Sequence, residues 1–309
     1  MGNRRDAFKR RIIELKKERE FVVMDADVGN ATRTWDFGKV YPDYFYEMGI
    51  AEQDMVGAAA GIASCGIPVI ASTFATFITM RAFEVVRTSV AYPRLPVKLV
   101  GGYAGLSNGK DGATHQSIED LALMRMIPNM SVLIPADDVA TAKMIDIMLD
   151  HEGPVYMRME FDEVEDIYST TAEFPIGGMN IVRDGKDITV VACGSALAAA
   201  CQAAKALEKE GISVQVMDAY CLKPFGEKVF LEAAQKTGRV ITLEDHSTIG
   251  GLAGAVCECL CKNNVGVRYD CLGIEDVFTE SGKTPELRAR YGLDAETLMA
   301  RAKRMMEEA

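Results

Sequence analysis

The chain has 309 residues, of which 49% are hydrophobic and 26% charged, and its formal net charge is −11. That composition belongs to a water-soluble protein long enough for two domains, each burying its own core. The acidic balance disfavours nucleic acid or an anionic membrane as a partner, and no run approaches the roughly 18 apolar residues of a membrane span.

Residues 1–20 are charged and lack the apolar core of a signal peptide, so a cytoplasmic location is expected. Residues 5–18 have the spacing of an amphipathic helix, with Phe8, Ile12, Ile13 and Leu15 on or near one face. An apolar strand at 21–25 leads into a turn at 27–30, and a second strand is expected at 44–47. A small-residue helix at 54–64, a strand at 67–73 and a helix at 77–92 that stops before Pro93 follow. Beyond them come a strand at 97–101 and a helix at 117–126, whose first turn carries Glu119 and Asp120 as the helix dipole favours. A strand at 131–134, a helix at 137–150 and a strand at 155–158 complete this half. Strands alternating with helices of this length imply a parallel α/β sheet.

Residues 161–178 break the rhythm with an acidic, irregular stretch that reads as a linker. The alternation then restarts with strands at 188–192, 213–217, 240–243 and 267–272. Helices are expected between them at 196–210, 227–236 and 252–263, with two closing helices at 285–291 and 294–306. The expected fold is therefore α/β: two parallel-sheet domains, 1–165 and 181–309, joined by a linker at 166–180. The eight cysteines form no Cys-x-x-Cys pair, and Cys257, Cys259 and Cys261 alternate within one helix, so free thiols are expected.

Glu52 draws attention because it sits at the joint between the strand at 44–47 and the helix at 54–64. An isolated carboxylate there would be an ordinary dipole contact worth about 0.3–1 kcal/mol. Its company changes that reading: Phe74 and Phe77 follow the next strand, and Asp111 and His115 follow the one after. Ligands of open α/β sheets collect beyond the carboxyl ends of the strands, where a carboxylate can share a proton with a ring nitrogen. The two phenylalanines, three apart, would share a helical face, which by itself suits core packing. His115, His151 and His246 have no cysteine or histidine at metal-ligand spacing, so no metal site is expected from this chain. There is no Gly-x-Ser-x-Gly elbow. Gly250-Gly251-Leu252-Ala253-Gly254 departs from a dinucleotide fingerprint and is better explained by close helix–sheet packing.

Several stretches together carry a family likeness: Asp25-Ala26-Asp27, Gly49-Ile50-Ala51-Glu52-Gln53, Ser72-Thr73-Phe74-Ala75-Thr76-Phe77, Asp111-Gly112-Ala113-Thr114-His115-Gln116 and, later, Glu244-Asp245-His246. The chain resembles the C-terminal half of transketolases, a pyrimidine-binding domain followed by the transketolase C-terminal domain, and most of all the small subunits of split transketolases. The resemblance implies a thiamine-diphosphate enzyme moving a two-carbon ketol unit from a ketose to an aldose. It implies that Glu52 hydrogen-bonds N1′ of the aminopyrimidine, that Phe74 and Phe77 pack on that ring with Met80 as a third contact, and that Asp27 lies near the thiazolium. Asp111 and His115 would face the donor's hydroxyls, His115 near its C1 hydroxyl and carbonyl.

The family's Gly-Asp-Gly and downstream asparagines, which hold the diphosphate and Mg²⁺ or Ca²⁺, have no counterpart here; Arg183-Asp184-Gly185 reads as a turn. The resemblance therefore implies a large partner chain that supplies this half of the site, in an α2β2 assembly. Tyr103 stands where the family usually has a phosphate-binding histidine, and Phe161 where many members carry arginine. Phenylalanine cannot make the bidentate contact that arginine offers phosphate. With Arg4, Arg5 and Arg33 as the remaining cations, a donor with a sulfonated, branched or unphosphorylated terminus is expected. The alternatives are a 1-deoxyxylulose-5-phosphate synthase half, a 2-oxo acid dehydrogenase β chain, and a noncatalytic scaffold subunit. The Asp111 to Gln116 stretch favours sugar chemistry over the first two.

Overall fold

The computed structural model describes residues 2–307. Its larger sheet has seven strands in the order Cys221–Lys223, Ser131–Leu133, Val155–Arg158, Val97–Gly102, Val69–Phe74, Val22–Asp25 and Phe45–Glu47. All neighbours run parallel except Cys221–Lys223, which pairs antiparallel with Ser131–Leu133. The central strands are buried along their whole length, as a sheet covered on both faces requires. Helices Arg4–Leu15 and Asp138–Asp150 cover one face, where Phe8, Ile12, Met144 and Met148 pack on Val23, Ile70 and Val100. On the other face Met55, Val56 and Ala59 of helix Glu52–Ser64 pack with Val86 and Val90.

The second sheet has five strands, Arg268–Ile274, Arg239–Ser247, Ile188–Ala192, Val214–Asp218 and Asn180–Arg183, parallel except for the last. Helices Ala196–Lys209 and Ala295–Glu307 lie on one side with Leu197, Leu207, Leu298 and Met305 in the core. No helix among the described residues is long and apolar enough to cross a membrane. All eight cysteines are free.

Several elements depart from the sequence expectation. The helix expected at 77–92 is wound as π-helix at Phe77–Arg81 and Val86–Ala91, with a short α turn, Phe83–Val85, between them. Tertiary packing decides such windings, and apolar spacing does not register them. Helix Asp120–Met126 starts later than the expected 117. Residues 29–40 hold two short helices, Gly29–Thr32 and Thr34–Val40, and the expected linker contains the short strand Glu163–Val164, paired with Gly2–Asn3. Strand Arg239–Ser247 runs past the expected 243 because its polar end, Glu244-Asp245-His246, is buried with its partners inside the fold. Cys221–Lys223 follows the Val214–Asp218 strand of the second sheet, yet it completes the edge of the first, so the two halves share a sheet.

Buried charges tie the halves together. Arg158, almost fully buried, bonds Asp120 at 3.0 Å, the carbonyl of Asp245 at 2.6 Å, and Glu160. Arg4 adds a contact to Glu160 at 3.3 Å and donates to the carbonyls of Pro135 and Ala136. Burial alone would raise the Glu160 carboxyl, but Arg158, Arg4 and Arg288 hold it well below the usual carboxylate range.

Candidate active site at the carboxyl ends of the first sheet

The residues singled out around Glu52 lie at or beyond the carboxyl ends of parallel strands. Strand Phe45–Glu47 ends in Glu47, whose carboxylate accepts from the backbone N–H of Asp27 at 2.7 Å and of Gly49 at 3.1 Å, and from Trp35 Nε1 at 2.9 Å. That clamp fixes the turn through Gly49, where a φ of +68° suits glycine. The turn delivers Glu52 as the first residue of helix Glu52–Ser64. Glu52 is only 1% exposed. Its Oε1 accepts from Arg81 Nη1 at 2.7 Å, and its buried Oε2 has no hydrogen-bond partner. A buried carboxylate oxygen left unpaired costs about 1–3 kcal/mol or more, so this atom marks a place prepared for a donor.

The aromatic residues gather beside it. Phe74 closes strand Val69–Phe74 and Phe77 opens the π-helical turn, so the pair meets across a strand–helix junction and not on one helical face as expected. Their rings are 5.8 Å apart at 23°. His115 lies edge-on to Phe77 at 5.3 Å and to Phe74 at 6.1 Å, and Tyr103 meets Phe74 at 4.9 Å. Phe161 closes the group against Tyr103 at 4.7 Å. The structure thus brings Glu52, Phe74, Phe77, Tyr103 and His115 to one end of the sheet.

The remaining predicted residues are placed less tightly. Met80 is exposed, its sulfur 3.6 Å from Thr76 Oγ1. Asp111 is exposed at the end of the 3₁₀ turn Gly105–Asp111. Asp27 is exposed and adopts a φ of +59° beyond strand Val22–Asp25. Beside it, buried Asp25 accepts from Thr32 and Thr34 hydroxyls at 2.7 Å each and from Val28 N–H; burial pushes its carboxyl up to about 6 against those bonds. Arg33 turns to Asp6 at 3.5 Å, and Arg4 is committed to the joint between the halves. Arg5 is the cation at the Tyr103–Phe161 end of the aromatic group: Nη1 lies 3.5 Å from Tyr103 Oη, and the guanidinium sits 5.8 Å from the Phe161 ring centre.

The second half supplies a buttress to this site. Gln116, next to His115, donates to the carbonyl of Glu280 at 3.1 Å and accepts from Thr279. Gly282 N–H donates to the carbonyl of Gly109 at 2.9 Å, and Asp245 accepts from Leu106 N–H at 2.9 Å. The loop carrying Asp111 and His115 is therefore held by residues more than a hundred positions away, which no local signal discloses. The glycine pair at 250–251 has a structural role. Glu244 accepts from Leu252 and Ala253 N–H at 2.6 and 2.7 Å, occupying the helix N-terminus that a dinucleotide phosphate would need. A Cβ on Gly251 would collide with that carboxylate.

Two family descriptions match the chain: transketolase, pyrimidine binding domain, over residues 3–164, and transketolase, C-terminal domain, over residues 177–298. The chain belongs to the transketolase family. A Methanocaldococcus jannaschii chain named as a transketolase C-terminal section is 44% identical, covering 96% of this chain and 93% of its own length. One of the subunits of an apulose-4-phosphate transketolase from Phocaeicola vulgatus is 37% identical, covering 94% of each chain. A 6-deoxy-6-sulfo-D-fructose transketolase subunit from Clostridium sp. is also 37% identical, over 94% of this chain and 90% of that one. A solved split-gene transketolase, an inactive beta4 tetramer, superimposes with a TM-score of 0.91 at 42% identity, covering 99% of this chain and 98% of that one. The chain thus corresponds to the C-terminal half of a transketolase, and the family implies dependence on thiamine diphosphate.

Sequence reasoning passed over two residues of this site. Arg81 lies 29 residues from Glu52 in an element read only as an apolar helix, although Phe77 four residues earlier offered an aromatic–cation spacing. Glu47 gave no signal, because two of its three partners, Asp27 and Trp35, belong to other segments, a turn and the helix Thr34–Val40.

Proposed function

We propose that this chain provides the pyrimidine side of a transketolase active site, with Glu52 as the residue that holds N1′ of thiamine diphosphate. The observation that carries the reading is the buried, unpartnered Oε2 of Glu52 beside the Phe74–Phe77 shelf. Its chemistry fits the group: a buried carboxylate oxygen for a protonated ring nitrogen, and aromatic faces for a flat ring. When bound, thiamine diphosphate supplies the nucleophilic carbon and the electron sink for breaking the bond beside a ketose carbonyl.

The chain's own residues do the rest. Glu52 holds the proton at N1′ and fixes the pyrimidine's orientation. Phe77 and Phe74 pack on the ring and keep water from it, with Met80 at the outer edge. His115 Nδ1 is held by Thr114 Oγ1 at 2.9 Å, which leaves Nε2 for the donor's C1 hydroxyl and carbonyl. Asp111 takes a neighbouring hydroxyl, and Asp27 approaches the thiazolium side. A large subunit contributes the diphosphate site with its Mg²⁺ or Ca²⁺, and two copies of each chain form an α2β2 enzyme in the cytoplasm. The inactive beta4 tetramer formed by a relative supports the need for that partner. We assign residues 1–165 to the pyrimidine-binding domain, 166–180 to a linker and 181–309 to the C-terminal domain.

The far end of the donor meets Tyr103, Phe161 and Arg5. An edge-packed aromatic pair with one guanidinium offers apolar contact and a single cation in place of a multidentate phosphate clamp. The donor is accordingly a ketose whose terminus is sulfonated, branched or unphosphorylated, a reading supported by the sulfosugar named for one relative.

Native co-purification followed by a donor screen tests the whole reading. A co-purifying chain with Gly-Asp-Gly and downstream asparagines, active with thiamine diphosphate and Mg²⁺, is the expected result. A chain that purifies alone and binds no cofactor would favour a scaffold subunit. The best kcat/KM going to xylulose 5-phosphate would refute the assignment of the donor's terminus.

A further inference from the structure

Arg81 is the one cation in direct contact with Glu52 among the described residues, and it has no place in the scheme so far. Three observations meet on it. Its Nη1 donates to Glu52 Oε1 at 2.7 Å, leaving Oε2 as the orphan atom. Its guanidinium lies over the Phe77 ring, 4.7 Å from the centroid. It closes the π-helical turn Phe77–Arg81, whose wider winding places residue 81 against both the ring that opens the turn and the start of helix Glu52–Ser64. Glu52 is almost wholly buried while Arg81 is half exposed, so the cation reaches inward from the rim to a carboxylate that has no contact with bulk water.

We propose that Arg81 is a positioning residue for the cofactor: it occupies one oxygen of Glu52 so that the other is presented in a single orientation to N1′ of the aminopyrimidine. This deepens the function proposed above and rests on it. The physical case is that a buried carboxylate with no partner lowers its energy by rotating towards water, which withdraws the acceptor. A charge-assisted bond at Oε1 suppresses that rotation. The contact with Phe77 in turn holds the guanidinium on the ring, so a single side chain couples the acceptor to the shelf.

The test uses this chain assembled with its large subunit, titrated with thiamine diphosphate and Mg²⁺ and, separately, with the analogue whose pyrimidine N1′ is replaced by carbon. Arg81→Met should bind thiamine diphosphate about tenfold more weakly than wild type, the cost of one charge-assisted bond. The same variant should bind the analogue within about twofold of wild type, since Glu52 then has no N1′ to meet. Arg81→Lys, which keeps a cation but not the fork, should recover most of the loss. Equal affinity of Arg81→Met and wild type for thiamine diphosphate would overturn the proposal, as would an equal loss for both probes, which marks a merely structural role. A wild-type assembly that bound neither probe would overturn the functional reading as well, and that outcome is distinct from the other two.

Discussion

Among the buried glutamates at helix mouths in the described residues, Glu244 and Glu52 differ in one atom. Glu244 lies at the end of the second sheet beneath helix Leu252–Lys262, with each carboxylate oxygen accepting a backbone N–H. Glu52 opens helix Glu52–Ser64, with one oxygen on Arg81 and the other on nothing. The first is complete within the chain and acts as a helix cap. The second is complete only when something else arrives. Burial and helix position are shared by Glu244 and Glu52, so neither separates these two; the count of satisfied oxygens does.

The comparison breaks most easily at Glu52. Glu52→Gln should lower turnover of the assembled enzyme by more than about 100-fold while leaving the melting temperature close to wild type. Activity within threefold of wild type would sink the assignment. Glu244→Ala should do the reverse. Stranding two helix-terminal N–H groups in the interior should cost about 3 kcal/mol, seen as a lowered urea midpoint, with cofactor affinity of the folded fraction unchanged. His115→Ala falls between them, lowering kcat/KM for the donor about 10- to 100-fold while thiamine diphosphate affinity stays within about threefold. A steady-state donor series beside a cofactor titration decides this, and a matched loss in both would remove His115 from the donor side.

The smallest effect concerns a third buried carboxylate. Asp218 also has one oxygen without a partner, the other accepting from Tyr168 Oη at 2.7 Å. No cation pairs with it among the described residues, and burial pushes its carboxyl up to about 8 despite that bond. The folded chain therefore keeps a proton that the unfolded chain releases above about pH 4, so stability should fall between about pH 4 and 8 and level off beyond. Asp218→Asn should flatten that slope, which urea melts at pH 5, 7 and 9 would show; an unaltered slope would mean that another group sets it.

Much of the architecture was legible beforehand because parallel α/β sheets write themselves as continuous apolar strands between longer amphipathic helices. Val22–Asp25, Val69–Phe74, Val97–Gly102 and Ile188–Ala192 fall within two residues of their expected bounds. The edge strand Cys221–Lys223 was not legible, since three residues of mixed character acquire their identity only from the strand beside them. Strand Arg239–Ser247 was cut short for a related reason. Its charged end reads as a surface turn unless one knows that Arg288 reaches Asp245 at 3.0 Å and that Glu244 caps the following helix. Glu52, Phe74, Phe77 and His115 could be named in advance because each sits in a contiguous, recognisable stretch at a strand end. Arg5 was one of three candidate cations, and contacts alone selected it.

The sequence by itself determined the alternation of elements, the two α/β halves, and the residue types collected at the strand ends, because periodicity and turn chemistry are local properties. It also carried the stretches around Glu52, Phe74 and His115 that resemble the C-terminal half of a transketolase. Only the tertiary structure decided which oxygen of Glu52 is free, which arginine touches it, and how the second half braces the His115 loop. Those are pairings between residues tens to hundreds of positions apart, and their energies depend on burial and distance, quantities that exist only once the chain has folded.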